Sequence, residues 1–192
     1  MKRSANTKTV VGIGLFTAIV VILQMLGSFI RFGTFSVSLV LIPIAVGAAL
    51  YGVYAGMWLG LVFGTVVLLS GDASLFLAVN PLGTVFTVLV KGVLAGLAAG
   101  LCYRLLKSRG ESLAATLSAA LCPLVNTGVF LLCCRLFFYE TVSVWAQEMG
   151  FGENVAGYMF LALAGGNFLF ELLFNMVFTP VIVRLLRIRD HR

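Results

Sequence analysis

Residues 81–106 read PLGTVFTVLVKGVLAGLAAGLCYRLL, an apolar run long enough to cross a membrane that carries one charge, Lys91, far from either end. A transmembrane helix needs about 20 mostly apolar residues. A charge inside hydrocarbon costs ~2.5–3.5 kcal/mol even on the scale derived from insertion experiments. Lys91 is therefore expected to have a partner or to face a hydrated cavity. Glu171, in the last apolar run, is the only other ionisable side chain predicted to lie as deep.

The composition of the whole chain is that of a membrane protein with several spans. The 192 residues are 61% hydrophobic and only 10% charged, whereas a soluble domain carries about 25% charged residues. The length suits one domain, residues 1–192. The basic residues flank apolar runs and form no extended basic face, which excludes a nucleic-acid-binding protein.

The net charge of +6 is concentrated in three places: the start of the chain, one central loop and the end. Basic residues near the ends of membrane spans mark the cytoplasmic side. Both termini and the central loop are therefore predicted to be cytoplasmic. The three clusters contain Lys2, Arg3, Lys8; Arg104, Lys107, Arg109; and Arg184, Arg187, Arg189, Arg192.

The apolar runs predict an all-α membrane protein, a bundle of six transmembrane helices. Backbone groups in lipid must be hydrogen-bonded internally, which favours helices over an open sheet. The connection 139–155 is predicted to be external, and its aromatic residues indicate either an interfacial segment or a lid over a binding site. The predicted helices, of which the second is short and joined to the third by a tight turn, cover about 9–30, 36–51, 54–71, 82–106, 113–138 and 156–187.

Small residues recur every four positions on two of these helices. This spacing places them on one helix face and allows close backbone approach, so both sets predict helix packing. On the first helix, Gly14 and Ala18 form a shorter pair, which indicates either an internal contact or a docking face for another subunit. The two longer sets are Gly52, Gly56, Gly60, Gly64 and Gly92, Gly96, Gly100.

Polar residues on three helices are predicted to lie at one depth. Lys91 is about ten residues, or ~15 Å, into its helix. Two alternatives follow: a structural ion pair between Lys91 and Glu171, or an outward-open pocket for a small hydrophilic molecule. The candidate binding residues are Lys91, Asn126, Asn167 and Glu171 at depth, with Asn80 and Arg135 nearer the outer ends.

The sequence also lacks several motifs. There is no G-x-x-x-x-G-K-[ST] loop, so the chain is not expected to hydrolyse ATP. The only histidine, His191, lies at the tail, and the four cysteines lack metal-ligand spacing. We predict no enzyme activity, no metal site and no cofactor.

Five segments carry a resemblance to a known family. They are TKTVVGIGLFTAIVVIL, FSVSLVLIPIAVGAALYGVYAGMWLG, NPLGTVFTVLVKGVLAGLAAGL, CPLVNTG and NFLFELLFN. Their order and the six-span layout resemble the S components of energy-coupling factor (ECF) transporters, which are bacterial vitamin-capture subunits. The resemblance implies a six-helix bundle in the bacterial plasma membrane, an outward substrate pocket, and a partnership with a transmembrane T component and two ATPases. It also implies that the whole subunit topples in the membrane to release its substrate.

In the family, an A-x-x-x-A motif on the first helix docks the T component. Here Gly14-Leu-Phe-Thr-Ala18 occupies that place, with Gly first. Among the family's substrates, pantothenate suits Lys91 or Arg135 because its carboxylate would meet a basic residue, and riboflavin comes next. The alternatives are a non-transport scaffold, such as a cell-shape protein with a solid bundle, and a solitary facilitator.

Overall fold

The computed structural model describes residues 2–29, 31–32, 35–36 and 39–190. Residue 30 of the predicted first helix, residues 37–38 of the second, and His191 and Arg192 lie outside the described residues. The described chain is predominantly helical, as predicted for an all-α membrane protein. Its helices are α1 Lys2–Phe29, α2 Leu41–Tyr51, α3 Val53–Leu69, α4 Ser74–Val79, α5 Pro81–Leu106, α6 Glu111–Phe137, α7 Tyr139–Glu148, α8 Val155–Gly157 and α9 Gly165–Asp190.

Four helices in the described part of the chain are long and apolar enough to cross a membrane: α1 over Thr7–Ser28, α5, α6, and α9 over Gly165–Arg184. The apolar helices α2 and α3 are shorter, with 11 and 17 residues. At 1.5 Å per residue they measure about 16 and 25 Å, against ~30 Å for the hydrocarbon core. The six predicted spans therefore correspond to four full-length helices and two shorter ones.

The second helix begins later than predicted. Residues Arg31–Phe32 and Phe35–Ser36 form a small antiparallel pair of strands, and the helix starts only at Leu41. The carbonyl of Leu41 lies 3.9 Å from the thiol of Cys122, which is near the middle of α6. α2 therefore begins about halfway along the bundle. Its predicted tight turn into α3 is confirmed, because Gly52 alone separates the two helices and adopts a φ of 95°.

The repeated glycines bring α3 and α5 together as an antiparallel pair. A Cβ atom on Gly56 would lie 2.5 Å from the carbonyl oxygen of Gly96, and one on Gly64 would lie 2.7 Å from that of Val88. Such contacts leave no room for a side chain, so the predicted packing role of the glycines within α3 and α5 is confirmed; Gly52 makes no such contact and lies in the turn before α3. The close approach holds Lys91, which neighbours Gly92, at the side of α3.

The sixth predicted helix, 156–187, is not continuous. A π-helical turn covers Tyr158–Leu163, and Ala164, with φ −119°, separates it from α9. The following pair Gly165-Gly166 disfavours helix because glycine loses the most backbone entropy. Single π turns are frequent at functional sites. This interruption places Leu163 and Ala164 beside the polar residues of α9.

The predicted connection 139–155 contains a helix, α7, that was not predicted from the sequence. α7 is amphipathic and buries Val142 and Ala146. A second short helix, α4, lies between α3 and α5. We call the end of the bundle that carries α4, α7 and the strand pair the capped end. The opposite end, where α1 begins and α9 finishes, is the terminal end.

Candidate functional site

A cavity of about 190 Å³ lies inside the bundle, below the capped end. Residues of α1, α3, α4, α5, α6 and α9 line it, together with the turns that precede α4 and α9. One side of the wall is aromatic, formed by Phe63, Phe76, Phe130 and Phe138. The polar lining consists of Gln24, Asp72, Thr84, Thr87, Lys91, Asn126, Thr127, Asn167 and Glu171.

Lys91 reaches this cavity from the middle of α5. Its Nζ atom lies 5.7 Å from the ring centre of Phe63 and 5.2 Å from that of Phe130. A cation within about 6 Å of a ring face is attracted by the ring quadrupole. Lys91 and Glu171 line the same cavity, yet no direct ion pair joins these two described residues. The ammonium group is therefore held by aromatic faces rather than by a carboxylate.

Glu171 is organised by the asparagines one turn before and one turn after it. The Asn167 side-chain amide donates a hydrogen bond of 3.1 Å to Oε1 of Glu171. The Asn175 amide donates one of 2.9 Å to the backbone carbonyl of Glu171. The carboxylate is only 4% exposed. This arrangement fixes the carboxylate at the floor of the cavity and leaves Lys91 unpaired above it.

Three oxygens of the cavity residues have no donor among the described residues: Oε1 of Gln24, Oδ1 of Asn126 and Oδ1 of Asn167. An unsatisfied buried acceptor costs about 1–3 kcal/mol. A bound molecule or water that offers N–H or O–H groups would remove this cost. The site therefore presents a positive group from Lys91 and acceptor oxygens from α6 and α9, against an aromatic wall.

Five residues of the polar lining were not singled out from the sequence: three threonines, Thr84, Thr87 and Thr127, together with Gln24 and Asp72. The side-chain amide of Gln24 donates a hydrogen bond of 2.6 Å to Oδ2 of Asp72. Asp72 lies in the turn after α3, which carries it into the cavity wall. The sequence did contain a signal for Gln24, namely its polar amide inside the apolar run of α1, because polar groups in membrane helices mark functional positions.

The structure does not bring Asn80 and Arg135 into the cavity. The side chain of Asn80 caps the start of α5, where its Oδ1 accepts a hydrogen bond of 3.0 Å from the backbone N–H of Gly83. Arg135 is exposed, and its guanidinium carbon lies 4.0 Å from the ring centre of Tyr139. Of the six candidates, the four deep ones meet in one cavity and the two outer ones remain outside it.

An aromatic cluster covers the cavity at the capped end. The ring of Phe76, on α4, makes edge-to-face contacts with Phe130 at 5.7 Å, Phe138 at 5.1 Å and Trp145 at 5.5 Å between centres. Such pairs contribute about 0.5–1.5 kcal/mol each beyond their buried area. Because Trp145 belongs to α7, the connection 139–155 packs over the cavity.

Gly14 and Ala18 lie on the outward face of α1. Both are exposed, and a Cβ atom on Gly14 would have no neighbour within 4 Å. Val11, Leu15 and Ile22 lie on the same side and are 65%, 61% and 56% exposed. This face of α1 has open space at Gly14, and the docking role of the pair stays a prediction.

The fold and the cavity together define a class of protein, a multi-pass membrane protein with an internal polar cavity. The family model described as "ECF transporter, substrate-specific component" matches residues 8–186. The chain therefore belongs to the substrate-specific components of ECF transporters, and the resemblance seen in the sequence is confirmed. No curated protein and no solved structure gives a significant match.

Family membership settles the general role of the chain. A substrate-specific component is the substrate-binding subunit of its transporter and is not itself an ATPase. Membership also implies a small-molecule substrate and an ECF complex that contains a T component and ATPases.

Proposed function

We propose that the cavity is the substrate site, and that the chain captures a vitamin or similar small hydrophilic micronutrient outside the bacterial plasma membrane. An ATPase-driven module, a T component with two ATPases, would then deliver it inward. The observation that carries this proposal is Lys91, a costly charge that points into the cavity and makes no direct ion pair with Glu171 among the described residues. A cation in this state stabilises the protein little and is suited to an anionic ligand.

The proposed topology has six crossings with the terminal end in the cytoplasm. The exposed basic residues of the turn between α5 and α6 lie at this end, with Arg184 of α9. The acidic residues Glu140, Glu148 and Glu153 lie at the capped end. This distribution follows the tendency of Lys and Arg to remain cytoplasmic, and it makes the capped end the entrance for substrate.

Pantothenate is the favoured substrate, with riboflavin next. The carboxylate of pantothenate would meet Lys91, and its hydroxyl and amide N–H groups would meet the oxygens of Asn126 and Asn167. The cavity volume of 190 Å³ is below the ~300–1,000 Å³ of most ligand pockets, which supports the smaller molecule over the three-ring flavin. The aromatic wall is the feature that would suit riboflavin.

The function is tested by mass spectrometry of small molecules that co-purify with the protein, followed by binding of labelled pantothenate. Loss of binding is expected in Lys91→Ala, because the anionic group loses its counter-charge. Arg135→Ala is the matched control, since it removes a cation that lies outside the cavity, and its affinity should equal that of the unmodified protein. Equal affinity in all three proteins would remove Lys91 from the site.

The structure gives less support to the two alternatives. A non-transport scaffold would need no cavity and would be consistent with a sealed Lys91–Glu171 pair, whereas the two side chains share a cavity without pairing. A solitary facilitator would need no docking face, whereas Gly14 and Ala18 are exposed. Co-purification with a T component and two ATPases would favour the ECF complex over both alternatives.

A further inference from the structure

The first helix is less firmly packed than the other long helices. Only 17% of its most apolar window is buried, against 39% in α5 and in α6. Its helix contacts are mainly with α3 and α2. One side-chain contact to α3 lies away from the cavity, where the indole N–H of Trp58 donates a hydrogen bond of 3.1 Å to the hydroxyl of Thr17. Because α1 is so little buried, an additional contact that orders this helix would have a large effect on its position.

Gln24 makes such a contact at the cavity itself. Its side chain is only 4% exposed and lines the cavity. Its amide holds Asp72, in the turn that joins α3 to α4, at 2.6 Å. The other atom of the same amide, Oε1, is buried and has no hydrogen-bond donor. A ligand in the cavity that offers an N–H or O–H group can therefore bind α1 directly through this oxygen.

The same helix carries the exposed pair Gly14 and Ala18. Gln24 follows these residues by ten and six positions, which is about 9–15 Å along the helix axis and about 80–120° around it. The small residues therefore face outward while Gln24 faces the cavity. A continuous helix transmits a change at one position to the other, because its backbone hydrogen bonds resist bending.

We infer that Gln24 couples occupancy of the cavity to docking at the Gly14–Ala18 face. This inference rests on the proposed function, because it requires both a substrate and a T component. A substrate that donates to Gln24 ties the capped half of α1 to Asp72 and α3, and so orders the outward face before docking. By linkage, substrate and T component raise each other's affinity by the same factor.

The coupling can be measured with the full-length chain in lipid nanodiscs and the purified T component. The probe is a defined mixture of water-soluble vitamins that includes pantothenate and riboflavin. In the unmodified protein the mixture should tighten T-component binding by about fivefold or more, the lower range of typical couplings. In Gln24→Leu this factor should fall to about one, while the mixture still raises the melting temperature of the variant, by less than in the unmodified protein because the contact to Gln24 is lost.

Two further variants separate this coupling from general loosening of α1. Asp72→Asn keeps an acceptor oxygen for the Gln24 amide and should keep the coupling. Thr17→Val removes the contact to Trp58, outside the cavity, and should also keep it. Hydrogen exchange gives a second measurement on the same samples: the mixture should protect the backbone of residues 14–22 in the unmodified protein and not in Gln24→Leu.

Three results would overturn the inference. One is an unchanged coupling factor in Gln24→Leu, which would show that another contact transmits occupancy. Another is equal loss in Thr17→Val, which would show that α1 only needs to be well packed. The third is unchanged T-component binding when the mixture is added to the unmodified protein. If the melting temperature of the unmodified protein is unchanged as well, the proposed function is also contradicted. If Gln24→Leu does not fold, Asp72→Ala removes the same hydrogen bond from its other side, and its coupling factor should likewise fall to about one.

Discussion

Replacing Lys91 with methionine should change the stability of the empty protein only slightly and should weaken its binding of an anionic substrate. Methionine has a similar length and no charge. The charge costs ~2.5–3.5 kcal/mol in a membrane interior. The two phenylalanine contacts at 5.7 and 5.2 Å recover about 0.5–2 kcal/mol each, the upper figure applying where the cation is desolvated. The cost and the gain therefore nearly cancel, and the net change in stability lies between a loss of about 1.5 kcal/mol and a gain of about 2.5 kcal/mol.

The assay for stability is thermal unfolding of the purified protein in detergent, without substrate. For a protein of 150–250 residues, 1 kcal/mol shifts the melting temperature by about 2–4 °C. A shift of no more than several degrees is therefore expected for Lys91→Met. Binding should weaken clearly: a hydrogen bond to a charged group contributes about 1.5–3 kcal/mol, so the affinity for labelled pantothenate should fall about 10- to 150-fold.

The ion-pair alternative predicts a large loss of stability. Removing one partner of a buried pair destabilises a protein by about 3–5 kcal/mol, because the other charge remains unpaired. A large decrease in the melting temperature of Lys91→Met would therefore refute the reasoning from the cavity geometry. Glu171→Gln is the matched control: it keeps the side-chain size and an acceptor for the Asn167 amide, and it should leave the melting temperature within a few degrees.

Four other predictions test separate parts of the structure. Gly92→Ala should destabilise the bundle strongly, because the new Cβ would meet a backbone carbonyl of α3. Gly128→Ala is the control, since Gly128 lies in open space and the variant should keep its stability. Size-exclusion chromatography and melting curves compare the two variants. Gly14→Leu should prevent co-purification with the T component and leave substrate affinity unchanged. Trp145→Ala should speed substrate dissociation, seen in stopped-flow release, because the aromatic cover loses a ring. Asn80→Ala should cost about 0.5–2 kcal/mol of stability through loss of a helix cap, with unchanged pantothenate affinity; weakened binding would return Asn80 to the site.

Much of the fold could be predicted because apolar runs and glycine spacing are local signals. The bounds predicted for the third, fourth and fifth helices differ from α3, α5 and α6 by no more than two residues at either end. The late start of α2 and the break at Ala164 were missed. Apolar residues favour the membrane whether the backbone is helical or interrupted, so hydropathy alone does not locate such breaks. The short helices α4 and α7, with 6 and 10 residues, were missed because they are too short for a clear periodic pattern, and their packing against the rest of the protein is not visible in the sequence.

The candidate site, like the fold, could be predicted only in part. Lys91, Asn126, Asn167 and Glu171 were recognised from the sequence because a polar group in an apolar run is costly wherever it points. Their common depth followed from counting residues along three helices. Gln24 and Asp72 were not recognised, because one lies near the end of its span and the other in a turn. Asn80 and Arg135 were included for their chemistry, and the structure places both outside the cavity.

The sequence by itself determined that this protein lies in the membrane, which family it resembles, and which charge requires an explanation. These properties depend on composition and on spacing along single helices. Only the tertiary structure decided that Lys91 faces two aromatic rings rather than Glu171, and that α1 contributes to the cavity through Gln24. Both depend on rotations of helices about their axes and on distances between helices, which the close glycine contact of α3 with α5 sets and which no single segment encodes.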